Sequence, residues 1–183
     1  MKINNELQIS TILYIALISL ILFIGFEIYD GITTPDLITQ SNVNLTLYQG
    51  KWYSIYELPN PFQKDCSCTT ATYTLNPKDN SVEVLNVCGN TGYNISGLAT
   101  SVNNSTSKLI IDFGFYRKGD YNIIYVDDNY SVALVGTDDR DYLWYLSRNK
   151  SISDSELKIM SWLATRQGFN VSQIKPVAQN CEN

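Results

Sequence analysis

Gly50-Lys51-Trp52-Tyr53 and Asp141-Tyr142-Leu143-Trp144-Tyr145-Leu146-Ser147-Arg148 bracket the stretch whose pattern decides the fold. Eight short segments run from one to the other, alternating apolar and polar residues and separated by turn-forming clusters. Thr69–Leu75 is the clearest: Ala71, Tyr73 and Leu75 alternate with Thr70, Thr72 and Thr74, the period of a strand with one buried face. The other expected strands are Lys51–Leu58, Ser81–Cys88, Asn94–Thr100, Lys108–Phe115, Tyr121–Asp127, Ser131–Thr137 and Tyr142–Arg148. Pro59-Asn60-Pro61, Asn76-Pro77-Lys78-Asp79-Asn80, Asn103-Asn104, Lys118-Gly119-Asp120, Asp128-Asn129 and Asp138-Asp139 supply turns. Short strands at even spacing predict an all-β fold, an eight-stranded up-and-down antiparallel barrel. A barrel of that size is just wide enough inside to hold one small ligand.

The two bracketing segments predict how one end is closed. Trp52 offers a large flat ring to fill the narrow end, and Arg148 offers a planar cation that stacks on it while donating to nearby carbonyls. Leu45-Thr46-Leu47-Tyr48, just before Gly50, reads as a short turn plugging the barrel. One helix is written after the last strand. Ser153 and Glu156 have capping-box spacing, Ile152 and Leu157 form a hydrophobic staple, and Gly168 is the stop. Leu157, Met160, Leu163 and Ala164 share a face that should pack outside the barrel. Val171–Val177 reads as a ninth, flanking strand.

The first residues are different in kind. Ile9 to Phe26 is an uncharged, mostly apolar run, preceded by Lys2 and followed by Glu27 and Asp30. Its length suits an N-terminal hydrophobic helix acting as a transmembrane anchor, with a signal sequence as the alternative. An uncleaved anchor would leave residues 1–8 in the cytosol and the barrel outside it, tied to a membrane through residues 9–26; cleavage would give a secreted protein. Residues 27–44 read as a linker and 45–183 as the barrel domain. Export fits the Asn-x-Ser/Thr triplets at Asn44, Asn94, Asn103, Asn104, Asn129, Asn149 and Asn170, all candidate glycosylation sites. It also fits four cysteines, Cys66, Cys68, Cys88 and Cys181, an even set expected to form disulfides. Zinc is disfavoured, because Cys66-x-Cys68 is too tight and the chain has no histidine. The missing histidine also removes Ser-His-Asp and Cys-His chemistry. A net charge of −5 without a basic run makes nucleic acid an unexpected partner. No metal and no cofactor are expected.

Strand parity nominates ligand contacts. Trp144 shares a face with Leu146 and Arg148, Tyr73 with Ala71, and Tyr56 with Ser54 and Trp52. Phe113 and Phe115 share another face, and Phe62 lies on a loop expected to overhang the mouth. Lys64 and Arg117, near loops, are candidates to meet a charged head group, with a solvated surface role as the alternative.

Three ordered patterns resemble the lipocalins, and within them the bacterial outer-membrane branch and apolipoprotein D. They are Gly50-x-Trp52-Tyr53, then Asp127-Asp128-Asn129-Tyr130 with Ala133-Leu134-Val135, then Trp144-Tyr145-Leu146-Ser147-Arg148. Val126 stands where the second pattern usually has threonine. The resemblance implies that Gly50, Trp52, Asp127, Tyr130 and Arg148 hold the fold, and that Trp144 and Tyr73 line the pocket. It also implies a Cys68–Cys181 bridge, leaving Cys66–Cys88; exchanging Cys66 and Cys68 gives the other connectivity. The implied function is binding and transport or storage of a small hydrophobic ligand (a fatty acid, lysophospholipid, sterol or similar), not catalysis. The rival readings are a surface interaction protein with the barrel as scaffold and, behind it, a lipocalin-type isomerase.

Overall fold

The structure, a computed structural model, describes residues 14–22, 35–115 and 117–181. The chain divides into two compact units, Met1–Pro35 and Asp36–Asn183. In the first, residues 14–22 form a helix, α1. The rest of the apolar run expected over 9–26, and the residues 1–8 expected in the cytosol, lie outside the described residues. Among the described residues no helix is long and apolar enough to cross a membrane.

The second unit begins at Asp36, so residues 36–44, expected as part of a linker, belong to the folded body. Leu37 and Val43 are buried, the Gln40 amide donates to the Ile123 carbonyl, and the Ile38 amide and carbonyl are both bonded by the Gln167 side chain. A one-turn helix α2 (Leu45–Tyr48) follows, capped by the Asn44 carboxamide, which accepts from the Thr46 and Leu47 amides.

The strands are β1 (Gly50–Glu57), β2 (Thr70–Leu75), β3 (Val82–Val87), β4 (Asn94–Ser101), β5 (Lys108–Asp112), β6 (Lys118–Val126), β7 (Val132–Gly136) and β8 (Leu143–Ser147). Each pairs antiparallel with the next, and β1 pairs with both β2 and β8, closing the ring. Closure removes the open edges of a flat sheet. The ninth strand is far shorter than expected: β9 is Lys175–Pro176 alone, after a 3-10 turn at Val171–Gln173. It pairs with β1 at Tyr56 and Glu57, beyond the Gly50–Tyr53 stretch that β2 covers. Pro176 has no amide hydrogen to extend that ladder.

The β5–β6 hairpin turns elsewhere than expected. The strands register from Lys108 opposite Asn122 to Asp112 opposite Lys118, so Gly119 and Asp120 are in β6 and the turn lies between Asp112 and Lys118. Asp112 accepts from the Gly114 amide there, and Phe115 takes a positive φ of 49°.

Two apolar clusters separate the faces of the barrel wall. The inner one holds Trp52, Ala71, Tyr73, Val84, Tyr121, Ile123 and Leu146 among others. The outer one lies beneath α3 (Asp154–Arg166), where Met160 and Ala164 pack on Leu134, Leu143, Tyr145 and Phe169. Ser153 and Glu156 make the capping box at its start, and Gly168 at its end has φ +88°.

Candidate functional site

The barrel wall alternates, so directly opposed residues of neighbouring strands share a face. Gly50 opposes Tyr73 at one end of β1, and Glu57 opposes Trp144 at the other. The first end is sealed. Trp52 is completely buried, its Nε1 donates to the Tyr48 carbonyl at 2.8 Å, and the Arg148 guanidinium lies 3.8 Å from its ring centroid. Arg148 donates to the carbonyls of Leu47, Tyr48, Gln49, Lys51 and Tyr130. Gly50 makes room: at φ +95°, any Cβ there would sit 3.3 Å from the Arg148 Nη1. Asp127 organises the β6–β7 turn at the same end by accepting from the Asn129, Ser131 and Val132 amides and the Ser131 hydroxyl. Those bonds hold its carboxyl below the usual range, against the opposing effect of burial. Tyr130 joins in through its hydroxyl, which accepts from the Asn44 amide at 2.8 Å.

Above Trp52 lies a floor of three tyrosines. The Tyr48 and Tyr121 hydroxyls are 2.7 Å apart, and Tyr121 donates to Tyr73 at 2.7 Å. Three hydroxyls closing two hydrogen bonds leave one proton over, a spare donor on the floor. Burial pushes all three phenols above their ordinary value, so they stay protonated.

The other end carries, as its rim, the loops 58–69, 88–93 and 137–142 and residues 113–115 and 117 of the β5–β6 turn. Trp144 and Phe113 lie on the inner face below this rim and are only partly buried. Gly97 accommodates Phe113, whose ring would lie 2.8 Å from any Cβ at that position. Trp144 stacks on Tyr142 at 6.0 Å and donates from Nε1 to the Gln63 side chain at 2.7 Å.

Of the six aromatic residues nominated as ligand contacts, Tyr73, Phe113 and Trp144 therefore share the interior, Tyr73 at the floor and the other two near the rim. Phe62 sits on a rim loop, 69% exposed and 5.8 Å from the Tyr142 ring. Two are elsewhere. Phe115 is not on an inner face: β5 ends before it and it is 91% exposed in the turn. Tyr56 packs on the outer cluster, 6.0 Å from Tyr145. The cause is a bulge in β1: opposite β8 the register shifts between Ser54 and Tyr56, so the parity counted from Trp52 reverses. Lys64 and Arg117 are exposed on rim loops. All seven candidate glycosylation asparagines are exposed.

The bulge brings in a residue that parity missed. Glu57, opposite Trp144, is 8% exposed, and its Oε2 accepts from the Ser54 hydroxyl at 3.2 Å. Burial raises its carboxyl from 4.5 to about 7, opposed only by the Ser54 bond. Between those two pH values the folded protein keeps a proton that the unfolded chain has lost, so stability falls as pH rises through that window. The difference corresponds to about 3 kcal/mol. Thermal melts of wild type and Glu57→Gln should thus nearly coincide at pH 4.5, with the variant melting about 5–10 °C higher at pH 8. Parallel melting curves at both pH values would remove this account.

Both disulfides lie at this second end of the barrel. Cys66 bonds Cys88 and Cys68 bonds Cys181, leaving no free cysteine among the described residues. The second bridge fastens the C-terminal tail over the seam where β1 and β2 part. There Gln179 Nε2 donates to the Ser54 and Thr69 carbonyls, and the Cys68 amide donates to the Ala178 carbonyl. Two grooves, of about 410 and 640 Å³, lie outside this interior. One runs over the outer faces of β2, β3 and β4; the other is at the sealed end, between α2 and the turns beside it.

A closed antiparallel barrel sealed by an indole under a guanidinium, with one helix outside, defines the class of the protein. The lipocalin-like domain family matches residues 43–179, and the chain belongs to that family. It is 37% identical over 150 residues to outer membrane lipoprotein Blc of Escherichia coli strain K12, covering 76% of this chain and 81% of that one. It is 28% identical over 161 residues to apolipoprotein D of Macaca fascicularis, covering 81% and 83%. Insecticyanin of the tobacco hornworm Manduca sexta has the same fold, with a TM-score of 0.61, 18% identity, and 79% and 85% of the two chains covered.

Proposed function

We propose that the barrel binds a small lipophilic molecule in its upper interior, for transport or storage. The observation that carries this reading is the contrast along the inner face. At the sealed end Trp52, Tyr48 and Tyr73 are buried under Arg148, whereas Trp144 and Phe113 near the rim remain partly uncovered. Apolar and aromatic walls with a few convergent polar groups suit such a ligand. Burying an acyl chain against them at roughly 25 cal/mol per Å² supplies the affinity without covalent chemistry. Both disulfides are formed, so the reading needs no reactive thiol, which supports a binding role over an enzymatic one. Membership of the family and the relation to Blc and apolipoprotein D support it. The exposed sequon asparagines and the disulfides support a site outside the cytosol, with the barrel glycosylated. A scaffold role, in which the rim meets another protein, draws its support from the exposure of Phe62, Tyr93 and Phe115.

Mass spectrometry of an organic extract of natively purified protein should recover a lipophile in near-stoichiometric amount. Refilling the extracted protein should quench tryptophan fluorescence, and Trp144→Phe should abolish most of that response while Trp162→Phe, on the exposed face of α3, should not. An empty extract together with unchanged fluorescence across alcohols, acids, lysophospholipids and sterols would defeat the proposal in favour of the scaffold role.

A further inference from the structure

Near the rim the inner face carries one carboxyl, Glu57, opposite Trp144. Glu57 Oε2 accepts from Ser54, but Oε1 has no hydrogen-bond partner among the described residues. It is also not among the buried, sealed-off polar atoms, which among the described residues are Thr69 Oγ1 and Gln179 Oε1. Oε1 is thus a free acceptor still open to a ligand, beside the partly uncovered Trp144 ring.

No cation compensates it. Ser54 on its own strand bonds Glu57, Trp144 on β8 and Lys175 on β9 stand opposite it, and Gln63 on the rim loop bonds Trp144. Lys175 is exposed and makes no ion pair with it; the ion pair among the described residues is Lys118–Asp112, on the β5–β6 hairpin. Arg148 is at the sealed end, bonded to carbonyls there. A head group arriving beside Trp144 therefore meets a lone acceptor that carries negative charge above neutral pH.

Resting on the carrier reading above, we propose that Glu57 selects ligands whose polar head donates a hydrogen bond, an alcohol or a protonated amine, over ligands that place a carboxylate there. An alcohol supplies the donor that Oε1 lacks, and an ammonium supplies the missing counter-charge as well. A carboxylate brings only acceptors and a like charge into a poorly solvated site, so either the ligand or Glu57 must take up a proton to bind. The chemistry runs against the simple fatty-acid anion.

The test uses one chain length with three heads: 1-decanol, decylamine and decanoate, titrated into the full-length protein at pH 8.5 and followed by calorimetry. The alcohol and the amine should each bind at least tenfold more tightly than decanoate, a margin of about 1.4 kcal/mol. Glu57→Gln removes the charge, so decylamine should lose at least fivefold in that variant, and a wild-type circular-dichroism spectrum and cooperative melt at pH 4.5 show that the variant folds. Decanoate should gain at least fivefold in that variant. Decanoate binding as well as decanol to wild type, or an unchanged order in Glu57→Gln, overturns this proposal and leaves the carrier reading standing. Failure of all three to bind removes the carrier reading and this proposal with it.

Discussion

Replacing Arg148 with alanine is expected to cost about 3–5 kcal/mol, lowering the melting temperature by about 10 °C or more. The side chain performs two tasks at once. It covers the face of the buried Trp52 at 3.8 Å, a cation–π contact worth about 1–2 kcal/mol when desolvated. It also donates to five carbonyls, three of them at the end of the α2 turn. A one-turn helix leaves its last carbonyls without partners inside the helix, so these bonds fasten the plug to the barrel. Removing the guanidinium admits water to an indole that is otherwise completely buried and frees α2 to fray. Arg148→Lys separates the contributions: an ammonium keeps the charge but lacks the planar fork, so it should restore less than half of the loss. Urea denaturation of the three proteins measures this directly. A loss below about 1 kcal/mol for Arg148→Ala would mean that Trp52 is held without its cover.

Much of the barrel was legible because its physics is local. The Thr69–Leu75 alternation, the proline- and asparagine-rich turns and the capping box of α3 each reflect interactions within a few residues, and each appears where the sequence puts it. The Trp52–Arg148 pair was legible for another reason: a tryptophan in the first strand and an arginine just after the last meet where the barrel closes, and the cation can cover the ring there. The site was read less well. Period-two counting carries only as far as the ladder stays regular, and a bulge is a property of two strands, not one. Nothing within Ser54-Ile55-Tyr56-Glu57 marks the residue that the partner strand will skip, so period-two counting sets Tyr56 inside and Glu57 outside. The sequence does contain one hint, since strict alternation would set Ile55 and a charged Glu57 on the same side. Phe115 failed in the same way, because counting through Gly114 extended β5 past the turn. The Tyr48–Tyr121–Tyr73 floor depends on side chains from three separated segments meeting, which no local pattern records.

Deleting the Cys68–Cys181 bridge, as Cys68→Ser with Cys181→Ser, should be the most damaging change of all, at about 5 kcal/mol. The cross-link spans 113 residues, and the loop-closure entropy removed from the unfolded chain grows with that length. Cys66–Cys88 spans 22, for which the same relation gives about 3.4 kcal/mol. The first bridge keeps nearly its full weight in the presence of the second, since Cys66 adjoins Cys68 and Cys88 lies early in the larger loop. Its loss also acts on the folded state. Without it nothing covalent holds the tail where Gln179 joins the Ser54 and Thr69 carbonyls and the Val177 amide reaches Ile55. Those bonds close the seam between β1 and β2 on the strand that carries Ser54 and Glu57, so an unfastened tail should let water reach Glu57 and bring its carboxyl back toward the ordinary range. Two measurements check this: denaturant midpoints of the two double-serine variants, and the pH dependence of the Cys68→Ser, Cys181→Ser melt, which should lose much of the fall between pH 4.5 and 7. Equal destabilisation by the two deletions would show that native-state packing of the rim, not chain entropy, sets what each bridge contributes.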